Sequence, residues 1–192
     1  MMRVFDNIFD RRYLDELVSK LSHSPWYPNN IANRSTWPYG ETGSHCIFGE
    51  QFFERKSLDI INYGSNVALS HELVDCFYAI TRKAEKNLVL QEIAGNLQFA
   101  GMNGSDHRDT LGGITDDIFS YILMLSADPG TGGAFVNETE NKVIPFRHGR
   151  VIEIDGHAVH RGLAFDTEHK PRYSIKFVGL DNLIKDNYIR FW

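Results

Sequence analysis

GRVIEIDGHAVHRGLAFDTEHKPRYSIKFVGL, residues 149–180, reads as three β-type runs broken by turns. The runs are RVIEI (150–154), HAVHRGLAF (157–165) and RYSIKFVGL (172–180), and the breaks are Asp155-Gly156 and DTEHKP (166–171). β-Branched and aromatic residues suit a pleated, half-buried surface, whereas Asp-Gly and Pro punctuate it. The same texture extends back through LVLQEI (88–93), IFSYILMLS (118–126), GGAFV (132–136) and KVIPF (142–146). ADPGTGG (127–133), NETEN (137–141) and RHG (147–149) separate these runs. GGAFV–NETEN–KVIPF is the clearest hairpin, with Ala134 and Val136 on one face and Phe135 on the other.

Ahead of residue 87 the character is helical and irregular. Asp10 can cap a helix in which Leu14, Leu17, Val18 and Leu21 recur at helical spacing. A second helix is predicted from Ser70, with Leu73, Cys76, Phe77 and Ile80 on one face. Pro25 to Gly49, rich in Trp, Tyr, Pro, Asn and Gly, reads as a long ordered loop. Two helices followed by seven or eight closely spaced strands predict an α+β, mainly β domain. Its body would be an antiparallel barrel or a double-sheet jelly roll. No repeat or linker divides the chain. It is read as one domain: a helical and loop part (1–86), a β core (87–180) and a tail (181–192). In the tail, Ile184, Tyr188 and Ile189 can form one helical face that packs back on the barrel.

Composition narrows the function. At 192 residues and 42% hydrophobic, the chain can bury a core without disulfide or metal staples. A formal charge of -5 and the lack of a basic run give no support to nucleic-acid binding through a broad cationic face. Cys46 and Cys76 are isolated, which argues for a reducing compartment and against a disulfide framework or a cysteine zinc site. MMRVFDNIFDRR lacks the apolar stretch of a signal peptide, and no run approaches membrane-spanning length. The expectation is a cytoplasmic protein with no membrane partner.

Chemistry concentrates in three places. His107-Arg108-Asp109 follows the probable strand LVLQEIAGNLQFA, and residues two apart in extended chain point the same way. His160 lies several strands further on, and Arg172 is followed at the same-face offset by Ser174. Two imidazoles and one carboxylate on one face of Fe(II) leave positions open for a bidentate 2-oxo acid and then dioxygen. The distal carboxylate of such a cosubstrate needs a buried cation, and a planar guanidinium with a hydroxyl beside it supplies one. HRD also occurs in kinase catalytic loops, but those need an Asn five residues after the Asp, and position 114 is Ile.

NLQFAGMNGSDHRD, YILMLS, GGAFV, GRVIEIDGHAVHRG and RYSIKF together resemble the 2-oxoglutarate/Fe(II) dioxygenase superfamily, especially its prolyl-hydroxylase-like branch. The resemblance covers about residues 88–180. It implies a double-stranded β-helix, a cupin-like jelly roll with the N-terminal helices packed on one sheet and the metal at an open end. It also implies Fe(II), 2-oxoglutarate and O2, with ascorbate as reductant, and oxidative decarboxylation to succinate coupled to substrate oxidation. His107, Asp109 and His160 would be the catalytic metal ligands. His157 and His148 compete with His160, which alone stands just before Arg-Gly, as the family pattern places its ligand. Arg172 and Ser174 would bind the cosubstrate, with Tyr121, Asn96 and Gln98 as further contacts. The retained carboxylate of Asp109 separates the chain from halogenases and leaves hydroxylation, demethylation or desaturation open.

The substrate is read only as a class: a peptidyl side chain such as proline, or a small molecule. Trp26, Tyr27, Trp37, Tyr39 and Phe48, with Arg34 or His45, either shape the mouth beside the metal or cover the outer sheet as core. Met102 to Ser105 can form another part of the rim. A catalytically silent cupin-like module that binds metal and 2-oxoglutarate is the alternative function, and oligomeric state stays open.

Overall fold

The computed structural model describes residues 1–28, 47–57, 59–109 and 117–181. Among them are two helices and ten strands. Helix α1 (Arg11–Ser22) begins where Asp10 accepts a hydrogen bond from Tyr13 N at 2.8 Å, and it buries Leu14, Leu17, Val18 and Leu21. Helix α2 (Val67–Lys83) starts three residues before the expected Ser70. Asn66 caps it by accepting from Leu69 N at 3.1 Å, and Leu73, Cys76, Phe77 and Ile80 lie on its buried face as read.

The strands are β1 (Arg3–Phe5), β2 (Phe48–Arg55), β3 (Ile61–Tyr63), β4 (Leu88–Gln98) and β5 (Ile118–Leu125). They continue as β6 (Phe135–Asn137), β7 (Lys142–Ile144), β8 (Val151–Asp155), β9 (His160–Gly162) and β10 (Arg172–Asp181). Seven form a sheet in the order β1-β8-β5-β10-β4-β2-β3, and three form a second in the order β7-β6-β9. Every pairing within them is antiparallel. Apart from the β2-β3 hairpin, strands adjacent in the large sheet are distant in sequence, as in a jelly roll.

Three strands, β1, β2 and β3, fall where helix and loop were expected. β1 and β3 are the two edges of the large sheet and have only three residues each, too few to establish an alternation. HAVHRGLAF also contributes only His160–Gly162 as regular strand.

Side-chain alternation gives the large sheet two different faces. Tyr173, Ile175 and Phe177 of β10, with Tyr121, Leu123 and Leu125 of β5, pack in one core with Leu14, Leu17, Phe77 and Ile80 of the helices. The opposite face carries Ile122, Met124, Ile152 and Ile154, packed with Phe135 of the small sheet and Ala158. The helices therefore cover the outside of the large sheet, while the small sheet closes the inside. β10 sits between β5 and β4 and sends Arg172, Ser174 and Lys176 into that inside face. No helix among the described residues is long and apolar enough to cross a membrane.

Candidate metal centre

The segment that follows β4 is strapped to β9. Gly104 N donates to Gly162 O at 2.8 Å, and Ala164 N donates to the Asn103 side chain at 2.8 Å. His107 and His160 then exchange both backbone hydrogen bonds, at 3.0 and 2.9 Å. Two residues on, Asp109 N reaches Gly156 O at 3.1 Å. Backbone pairing alone thus brings residues fifty apart in sequence onto one patch.

The ring nitrogens are sorted by the same backbone. His107 Nδ1 lies 2.9 Å from Ser105 O and His160 Nδ1 lies 2.9 Å from Ala158 O. A carbonyl only accepts, so each Nδ1 carries the proton and each Nε2 keeps its lone pair free. The rings stand 4.4 Å apart between centroids, with Phe135 stacked on His160 at 5.3 Å. Asp109 Oδ1 is 3.8 Å from His107 Nε2, and Oδ2 is 3.6 Å from His160 Nε2. The three candidate ligand atoms all lie within 4.8 Å of one another. The side chain of Asp109 is wholly buried, yet neither of its oxygens accepts a hydrogen bond. A buried carboxylate is costly unless cations stand beside it; Lys176 Nζ, 3.4 Å from Oδ1, is one, and the donor set of two imidazoles and a carboxylate fits a divalent transition metal.

The charges point the same way. Burial, with His160 beside it, pushes the His107 imidazole down to about 4, so at neutral pH it is an uncharged donor. Burial on its own would raise the Asp109 carboxyl. Lys176, the two imidazoles and Ser120 outweigh it and hold the group below the usual carboxylate range. Lys176 Nζ lies 3.4 Å from Asp109 Oδ1 and 3.1 Å from Glu92 Oε2. Desolvation opposes its charge, but Asp109 and Glu92 prevail and raise the ammonium above its ordinary value.

Arg172 is fully buried and faces no carboxylate among the described residues. Its Nε donates to Gly133 O at 3.0 Å and its Nη1 to Gln98 Oε1 at 2.5 Å, while Nη2 has no partner. Gly133 offers that carbonyl from a backbone with φ of 71°, where a Cβ would meet the Phe165 ring at 2.5 Å. Desolvation lowers the guanidinium to about 10, which leaves it charged. The described residues provide no counter-ion for this buried guanidinium.

Several sequence candidates converge here. Ser174 is buried two residues from Arg172 on the same face, and on β4 Asn96 lies opposite Ser174 and Gln98 opposite Arg172. Gln98, however, spends its amide on protein: Nε2 donates to Met102 O at 2.7 Å and to Gly162 O at 3.1 Å. Tyr121 requires a correction. It pairs with Phe177 and Glu153, on the face opposite Arg172, and packs against Phe77 beneath the helices. Period-two alternation decides this, and IFSYILMLS is apolar on both faces, so its sequence does not say which side is inside.

His157 sits in the turn after β8, its backbone N bonded to Asp155, outside the three-residue cluster. His148 accepts from Ser126 N at 3.1 Å and lies 3.4 Å from Asp15. Trp26 packs on Phe52 and Tyr173, and Phe48 packs on the same helix-side core. Tyr27 is exposed. Trp37, Tyr39, Arg34, His45 and Cys46, together with the tail residues Ile184, Tyr188 and Ile189, lie outside the described residues. Lys176 went unread, although it extends the Arg172-Ser174 alternation by one more step.

No protein-family model and no curated protein matches the chain. Solved structures do. A 2OG-Fe(II) oxygenase family oxidoreductase from Burkholderia pseudomallei superposes with a TM-score of 0.71 at 15% identity, over 93% of this chain and 84% of that one. A prolyl hydroxylase from Trichoplax adhaerens, in complex with a hypoxia inducible factor peptide fragment, gives 0.64 at 13% identity, over 96% and 87%. HygX from Streptomyces hygroscopicus, with nickel and 2-oxoglutarate bound, gives 0.58 at 11%, over 94% and 83%. The chain has the fold of the 2OG-Fe(II) oxygenases. Within this oxygenase fold the His-Asp-His cluster and the buried arginine occupy the inside of the jelly roll, between its two sheets.

Proposed function

We propose that the chain is a 2-oxoglutarate-dependent non-haem iron dioxygenase that hydroxylates a peptidyl side chain or a small molecule. One observation carries the reading: a buried guanidinium with an unpartnered Nη2 shares the inner face of the jelly roll with two imidazole lone pairs and a carboxylate that accepts no hydrogen bond. A dianionic chelator that ligates a metal at one end and meets a cation at the other answers both needs at once. Several of the superposable structures hold 2-oxoglutarate or a peptide fragment, which adds support.

In this reading His107, Asp109 and His160 hold Fe(II), which when bound would chelate the 2-oxo acid and activate dioxygen. Arg172 binds the distal carboxylate, with the Ser174 hydroxyl as a second donor and Asn96 beside them. Lys176 braces Asp109 from the side, 3.4 Å from Oδ1, and would help hold the carboxylate in place for the metal. Ile122, Met124, Ile152 and Ile154 make the inner face of the large sheet apolar, and such low-polarity surroundings would strengthen an anion's pairing with Arg172.

The purified protein is expected to form succinate from 2-oxoglutarate with Fe(II), ascorbate and O2, slowly even without substrate. No succinate above that of a His107→Ala control, under well-reduced conditions, overturns the reading. Binding of metal and 2-oxoglutarate without oxygen consumption, across candidate substrates, would instead assign a silent sensing module.

A further inference from the structure

Arg172 carries a long, rotamer-rich side chain into an apolar interior, where a mis-aimed guanidinium would be useless to an anion. Something must aim it. A carboxylate partner would do so but would also discharge it. The residue in contact is instead Gln98, itself buried, whose Oε1 accepts from Nη1 at 2.5 Å.

The amide of Gln98 has no freedom to turn over. Its Nε2 lies 2.7 Å from Met102 O and 3.1 Å from Gly162 O, and both carbonyls can only accept. The NH2 is therefore fixed against them, and the carbonyl oxygen is obliged to face Arg172. Met102 lies in the segment leading to His107, and Gly162 ends the strand that begins with His160. One neutral side chain thus ties the guanidinium to the backbone on both sides of the candidate metal cluster. Both amide protons being used, it has none to offer a ligand.

We propose that Gln98 is a positioning residue: it aims Arg172 at an anionic cosubstrate without neutralising it, and does not itself touch that cosubstrate. The inference rests on the reading of Arg172 as the anion-binding group. It replaces the direct contact expected from sequence with an action through another side chain.

The test measures binding of N-oxalylglycine, an unreactive 2-oxoglutarate analogue, to the Mn(II)-loaded chain by calorimetry. Wild type, Gln98→Met, Arg172→Ala and the double variant form a cycle. Gln98→Met is expected to weaken binding about ten- to hundredfold, the range for a lost hydrogen bond to a charged group. Mn(II) affinity, read by electron paramagnetic resonance, should stay within twofold. In the Arg172→Ala background the Gln98 change should have no further effect, which a merely structural role would not produce. Gln98→Asn keeps the amide but withdraws it from Arg172, and serves the same comparison should the Met variant fail to fold. Wild-type affinity in either Gln98 variant, or losses that add in the double variant, overturns the proposal. If the wild-type protein binds Mn(II) but not N-oxalylglycine, the reading of Arg172 fails first and takes this inference with it.

Discussion

Gly162 lies against the guanidinium of Arg172: a Cβ at that position would stand 3.2 Å from Nη1 and 3.3 Å from Nη2. Arg172 cannot retreat cheaply, because Gly133 O and Gln98 hold two of its nitrogens. Gly162→Ala is therefore expected to displace the guanidinium and weaken 2-oxoglutarate binding. Overpacking costs about 1–3 kcal/mol, or roughly five- to a hundredfold in affinity. Metal affinity should be unchanged, since none of the three candidate ligands is touched. Calorimetry on the Mn(II)-loaded variant checks this, and undiminished binding of 2-oxoglutarate would show that the guanidinium has room to move.

Tyr121→Phe separates the sequence reading from the structural one. The hydroxyl is buried without a hydrogen-bond partner, on the helix side of the large sheet. Its removal should leave 2-oxoglutarate affinity within twofold of wild type. Thermal stability should stay level or rise slightly, because a buried hydroxyl that makes no bond costs desolvation. A large loss of 2-oxoglutarate affinity would bring the tyrosine back to the site.

The contrast between Tyr121 and Ser174 shows what was legible. RYSIKF follows a turn ending in Pro171, and its Arg-x-Ser pair has polar groups at one parity and Tyr, Ile and Phe at the other, so its inside face is written in the sequence. IFSYILMLS has apolar residues at both parities because both faces of β5 are buried, and the pattern cannot name the inside. His107, Asp109 and His160 could be singled out as candidates because their chemistry is unusual, and the fold brings the three together. What joins them is the bridge between His107 and His160, a long-range backbone contact with no local signature. The contacts of Gln98 and Lys176 were hidden for the same reason: each depends on a partner, Met102, Gly162 or Asp109, that only the fold brings near.

Among the described residues Lys176 is the cation paired with the candidate metal carboxylate, and its loss has an asymmetric consequence. Without metal, Lys176→Met leaves Asp109 buried with no counter-charge, a situation that destabilises folded proteins. Because the lysine is partly open to solvent, the loss is expected at about 1–3 kcal/mol rather than the full value for a closed pair. A divalent ion would supply the missing charge. Adding Mn(II) should therefore raise the melting temperature of the variant by more than that of wild type. Equal metal-induced shifts in scanning calorimetry would mean that Lys176 and the metal do not share Asp109.

The protonation of His107 gives the metal-free protein an acid sensitivity of known sign. Its imidazole is held at about 4 when folded, against 6.5 unfolded, with burial as the first cause and His160 the second. Above pH 6.5 neither state takes up the proton, and the group contributes no pH dependence. Between 6.5 and about 4 the unfolded chain binds a proton that the folded one refuses, so stability falls as pH falls. The loss approaches about 1.4 kcal/mol per pH unit and reaches at most roughly 3 kcal/mol, an upper bound because the side chain is partly exposed. In His107→Gln this component should vanish. The melting temperature of metal-free wild type should drop more steeply from pH 7 to pH 5 than that of the variant. Parallel curves for the two proteins would mean that His107 accepts a proton freely in the folded state, contrary to its burial beside His160. Bound metal should shift the wild-type decline to lower pH, since it occupies the lone pair that the proton would take.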